Sequence, residues 1–142
     1  LNLSSMMNNF SFDEAMCFAY GSTMLTGGSS IGVMDNGEHY VPKYGYVVGG
    51  IVPEKSIKMD NESAFKHTYN RFYYQAGLAL ERDSAVVIGT WVEHRESGGY
   101  IVFDLCNVLD DMKEALELAA KRGERAIYDL EEQREIFVNH EA

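Results

Sequence analysis

The chain is poor in the residues that interrupt or staple a fold. Its 142 residues include only two prolines, two cysteines and one tryptophan, and 12 basic side chains stand against 22 acidic ones. With so few prolines and no Ser/Gly/Pro-rich tract there is no place for a linker between modules, and the length suits one domain. A single domain over 8–139 is expected, with the native chain beginning at Met6 or Met7. Cys17 and Cys106 make no disulfide framework, and both are expected to pack as small apolar side chains in a reducing compartment. No run of about 18 apolar residues suggests a membrane span and no cleavable leader is visible, so a cytoplasmic location is expected. The shortage of cations, a net charge of −10, disfavours direct contact with DNA or RNA, whose phosphates require a basic face.

Catalytic and cofactor motifs are also missing. The histidines His39, His67, His94 and His140 are scattered, with no H-x-x-x-H on a helix and no C-x-x-C to complete a zinc site. Gly27-Gly28 lacks the spacing and the lysine of a phosphate loop, and no G-x-S-x-G elbow occurs. One polar constellation, Glu93-His94-Arg95-Glu96, would allow a carboxylate to tune a histidine for acid/base work, but a charged hairpin tip has the same composition. No catalytic residue, metal or cofactor is assigned.

What is present is a pattern of short strands and helices. Val86, Val87, Ile88, Trp91 and Val92 have the β-branched and aromatic content of a strand, and Arg95 to Gly99 supply a polar reversal into the return strand Tyr100 to Phe103. Asp111-Met112-Lys113-Glu114 fits a capping box, and Met112, Ala115, Leu116 and Ala119 then recur at helical spacing up to Gly123. Strands at 126–128 and 135–138 complete a ββαββ unit over 85–138, with Trp91 expected in its helix–sheet interface. Ser11-Phe12-Asp13-Glu14 is another capping box and predicts a helix over 12–20 that Gly21 ends, with Phe10 as a hydrophobic staple. Asn36-Gly37 predicts a type I′ hairpin between strands at 30–35 and 38–41, and 44–48 reads as a further strand. From Asn61 as cap, Phe65, Tyr69, Phe72, Tyr73, Ala76 and Leu80 predict an aromatic-faced core helix, with His67, Arg71 and Tyr74 on its other side. The fold class is α+β, a single domain with an antiparallel sheet, a C-terminal ββαββ unit and two further helices.

The acidity is uneven. Residues 104–142 hold eleven carboxylates against five basic side chains. Such charge keeps a protein soluble, and it also suits docking onto a basic protein surface that normally holds nucleic acid. Asp110, Asp111, Glu114, Glu117, Glu131 and Glu132 are the candidate protein-binding residues.

The runs Gly89-Thr90-Trp91-Val92, Tyr100-Ile101-Val102-Phe103-Asp104, Val108-Leu109-Asp110-Asp111 with Glu114-Ala115 and Ala119, and Ala126-Ile127-Tyr128-Asp129-Leu130 form a set. The set resembles a group of small proteins of phages and other mobile elements, in which a G-x-W-V strand is followed by Y-x-D-V, an E-A-x-x-x-A helix and an A-I-(Y/W)-D-L strand. The likeness covers most of 29–138, and the aromatic segment 64–80 departs from it. It implies an accessory protein acting inside a host cell. Together with the acidity it sets the leading expectation: a non-enzymatic inhibitor of a host defence nuclease, of the anti-CRISPR or anti-restriction kind. Two alternatives stand beside it. One is a small-ligand or nucleotide-binding protein using the aromatic helix and the glycine loop 27–30, and the other is an enzyme using Glu93 and His94.

Overall fold

The computed structural model describes residues 10–83 and 85–139. Along the chain run α1 (Phe12–Thr26), β1 (Gly28–Val33), β2 (His39–Tyr40), β3 (Tyr46–Val48), β4 (Lys55–Lys58) and α2 (Glu62–Ala79). They are followed by β5 (Val86–Arg95), β6 (Gly98–Leu109), α3 (Met112–Arg122), β7 (Ala126–Asp129) and β8 (Arg134–Phe137). The eight strands form one antiparallel sheet in the order β2-β1-β5-β6-β3-β7-β8, with β4 also paired to β6, so the fold is α+β. β6 is the hub. Its 12 residues pair with β5 along one edge, and along the other they carry two strands in tandem, β4 opposite 100–103 and β3 opposite 107–109.

Alternation along the strands sorts the side chains by face. Val86, Ile88, Ile101, Phe103 and Leu105 point to one face, where Ala15 and Ala19 of α1 and Phe65, Tyr69, Phe72 and Ala76 of α2 cover them. The Phe103 ring lies 4.9 Å from Phe65 and 5.5 Å from Phe72. Farther along the same face, Ala115 and Ala119 of α3 pack on Val48 and Ile127. The opposite face gathers Val47, Val87, Cys106 and Val108 in a cluster that contains no helical residue.

The expected cap residues cap all three helices, but the capping box expected at 111–114 forms only by half, since Asp111 accepts at the helix start and the described residues show no return bond from Glu114. Ser11 and Glu14 form both halves of the capping box, Asn61 accepts from the Ala64 amide, and Asp111 accepts from Lys113 and Glu114. Phe10, the residue expected to staple the first turn, stacks on Phe18 at 5.4 Å and bridges to His39.

Several boundaries and faces differ from expectation. α1 runs through Gly21 to Thr26, because an internal glycine weakens a helix by only about 1 kcal/mol, whereas Gly27 at φ +96° ends it. The hairpin at 34–38 is not type I′. Only Gly37 has positive φ, and the Met34 carbonyl accepts from Gly37, which makes a three-residue loop. β4 escaped notice because its one inward apolar residue is Ile57. The five elements of the expected ββαββ unit occur in order, but they do not form a self-contained unit, since β3 lies between β6 and β7. Trp91 is half-buried and outside the helix–sheet interface. Its neighbour Thr90 takes the inward position instead, with its hydroxyl 2.7 Å from that of Thr23, and pleating turns Trp91 to the helix-free face.

Candidate functional site

The strand register brings most of the sequence-selected carboxylates to one end of the sheet. Tyr46 at the start of β3 pairs with Leu109 at the end of β6 and with Asp129 at the end of β7. The chain therefore leaves β6 at Asp110-Asp111 and turns out of β7 at Leu130-Glu131-Glu132 at the same end of the sheet, with β3 between the two. The latter turn is fixed from beneath: the buried Asp129 carboxylate accepts from the amides of Glu131 and Glu132, both at 3.1 Å, and Leu130 donates to the Gly45 carbonyl. Glu131 and Glu132 consequently project from an anchored loop and are exposed. Asp111 is committed to capping α3, with its Oδ1 2.8 Å from the Lys113 amide. Glu114 lies in the first turn and Glu117 one turn on along the same side, both exposed.

A second acidic feature, which sequence reasoning missed, sits where the edge of β6 passes from β3 to β4. The Gly49-Gly50 segment is held from two directions. Arg122 of α3 donates to the carbonyls of Val48 and Gly49 at 3.3 and 3.0 Å and to Asn107 Oδ1 at 2.6 Å, while Asp104 Oδ1 accepts from the Gly50 amide at 3.1 Å. Asp104 is 3% exposed. Burial pushes its carboxyl up to about 7; the Gly50 amide opposes this, and the carboxylates of Glu124 and Glu54 add to it. A Cβ on Gly49 would collide with Asp104 Oδ2 and lie 2.7 Å from Glu124 Oε1, so only glycine fits. Cys106, two residues along β6, is buried, and its thiol is pushed well up, first by burial and then by the Asp104 charge. The sequence signal for this feature was a lone aspartate inside the apolar run Tyr100 to Leu109.

The remaining candidates separate. Glu93 and His94 are consecutive residues of β5, so they point to opposite faces and do not form a dyad. Glu93 instead pairs with Arg95 at 2.5 Å, and Arg95 also donates to Ser56 and lies 4.4 Å from the Tyr100 ring centre. Phe65, Tyr69 and Phe72 are core residues, which removes most of the rings a stacking pocket on α2 would need. Arg71 and Tyr74, on the outward side as expected, line a groove of about 700 Å³ with Lys55, Glu54 and Gln75. His39 is fully buried against Phe12, Tyr69 and Tyr73, and among the described residues neither of its ring nitrogens nor the Tyr69 hydroxyl has a hydrogen-bond partner. Burial holds its imidazole below the ordinary range, with the Phe10 backbone opposing. His140 lies outside the described residues. Among the described residues no group of three or more His, Cys, Asp or Glu side chains could hold a metal ion, and no helix is long and apolar enough to cross a membrane.

Cys17 is exposed, contrary to the expectation that it packs, because α1 turns Ala15 and Ala19 to the sheet. In the native protein a thiol reagent should modify one cysteine, Cys17, rapidly and label Cys106 only on unfolding. Mass spectrometry of native and denatured samples reads the difference, and rapid native labelling of Cys106 would show that the helix-free face opens.

No protein family, no curated protein and no solved structure matches this chain.

Proposed function

We propose that this protein is a non-enzymatic binding protein that presents the carboxylate-bearing end of its sheet to the basic, nucleic-acid-holding surface of a host nuclease and thereby inhibits it. The observation that carries this reading is the shared register of Leu109, Tyr46 and Asp129, which brings the exits of β6 and β7, with Asp110 and Asp111 after the one and the anchored pair Glu131 and Glu132 after the other, to the same end of the sheet. Preset charge of one sign on a fixed loop binds without paying to order that loop. The mobile-element context implied by the resemblance supports a host nuclease as the partner and the host cytoplasm as the place of action. Glu93 and His94, turned to opposite faces, leave the enzymatic alternative without its dyad.

The test is capture from bacterial host lysate, with and without added nuclease, followed by cleavage assays on purified restriction and RNA-guided nucleases. Capture should survive digestion of nucleic acid, and DNA should compete with it. Because the attraction is Coulombic, association should slow steeply as the screening length falls from about 8 Å at 0.15 M salt to about 3 Å at 1 M. Glu131→Lys with Glu132→Lys should slow association more than it speeds dissociation, since rim charges mainly steer encounter. Salt-independent association that tolerates the double reversal would sink the proposal.

The groove between α2 and β4 favours a second reading, a small anionic ligand, since Lys55 and Arg71 bring positive charge beside the exposed ring of Tyr74. Co-purification of a nucleotide, lost in Arg71→Ala, would support that reading over the first.

A further inference from the structure

Residues 15–34 contain no Asp, Glu, Lys, Arg or His, in a chain whose net charge is −10. Most of α1 lies inside this neutral tract, and the helix is not fully covered. Ala15, Ala19 and Thr23 face the sheet, while Cys17, Phe18, Met24 and Leu25 are exposed, Leu25 by 87%. With Gly21 between them these positions recur at helical spacing, so they make one outward apolar stripe.

From this stripe we infer that α1 is a self-association surface whose partner is a second copy of this chain, docked antiparallel about a two-fold axis at Gly21. Charge selects the occupant. Two copies at −10 repel wherever carboxylates meet, and α1 from Ala15 onward lets them approach without bringing any together. Shape agrees. A two-fold interface places the same patch on both partners, and an antiparallel pair centred on Gly21 sets Cys17 against Leu25 of the second copy and Phe18 against Met24 of the second copy. The exposed apolar side chains then meet in symmetric pairs on either side of Gly21, and Gly21 meets Gly21, where absent side chains allow the two backbones close approach. A Cβ on Gly21 has nothing within 4 Å among the described residues, so packing among them gives no reason for glycine there. From Cys17 to Leu25 the stripe is only about 12 Å long, so the interface is small and its affinity should be weak, micromolar or poorer.

Sedimentation equilibrium on the whole chain, from about 1 µM to 1 mM, tests this. The mass should rise from 16.0 kDa toward twice that value. Raising the salt to about 1 M should leave the dimer intact or tighten it, because screening relieves the repulsion between acidic copies. Leu25→Glu and Gly21→Leu should each weaken dimerisation at least about tenfold with an unchanged circular dichroism spectrum, because Leu25 is exposed and a side chain at position 21 enters open space. A monomer throughout the range overturns the inference. So does a dimer that is indifferent to both substitutions, since it would be built on another face.

Discussion

Asp104→Asn should stabilise the protein in alkaline buffer and change it little below pH 4. The Asp104 carboxyl titrates near 7 in the folded chain against an ordinary 3.8, so the folded state holds a proton that the unfolded state has released across that interval. The stability contributed by a raised carboxyl is fully present below the unfolded value and is lost as pH rises through the folded one. At about 1.4 kcal/mol per pH unit the loss reaches about 4 kcal/mol by pH 8, and with the residue 3% exposed solvent screening removes little of it. Asparagine keeps an acceptor for the Gly50 amide but has no charge to bury. The comparison must be variant against parent, because His39 pulls the other way: its depressed imidazole contributes stability above about 6.5 that is lost at lower pH. Urea midpoints from pH 4 to 9 should diverge up to about pH 7 and keep a constant separation above it. Parallel profiles would mean that Asp104 is ionised throughout.

Phe103→Ala should cost about 3 to 5 kcal/mol, a large share of the roughly 5 to 15 typical of a domain. The ring is fully buried between Phe65 and Phe72, and it sits on β6, the strand that pairs with β5, β4 and β3. Trp91→Ala, although it deletes a larger side chain, should cost less than Phe103→Ala, because the helix-free face leaves the indole partly in water. Denaturant titration of both variants reads the contrast. Equal losses would show that the helix-free face is as well covered as the other.

The misplacement of Trp91 shows which part of the fold was legible. Helix starts are written locally: Ser11, Asn61 and Asp111 each cap within three residues, and each was readable. The pairing of β3 with both β6 and β7 depends on residues far apart in the chain, such as Tyr46 with Leu109 and with Asp129, and nothing near Tyr46 announces it. The face of Trp91 is likewise set by a parity that the Thr23 to Thr90 contact decides from 67 residues away. For the candidate site, the carboxylates 110, 111, 131 and 132 were visible as composition, whereas their arrival at one end of the sheet is a product of register. Asp104 was passed over because an apolar strand makes a single carboxylate look incidental, and its importance comes from the glycines at 49 and 50, which bond and accommodate it.

The central place of β3 bears on synthesis. A ribosome delivers Tyr46 to Val48 long before Asn107 to Leu109 emerge, and later still come the residues of β7. The early strand must wait without partners on either edge, and waiting strands of this kind are slow to pair and prone to pair wrongly. Nor can the later half, from β5 onward, complete itself, since β6 and β7 would each keep an open edge where β3 belongs. The protein is therefore one closing event, in which three short residues from the first half zip two parts of the second together.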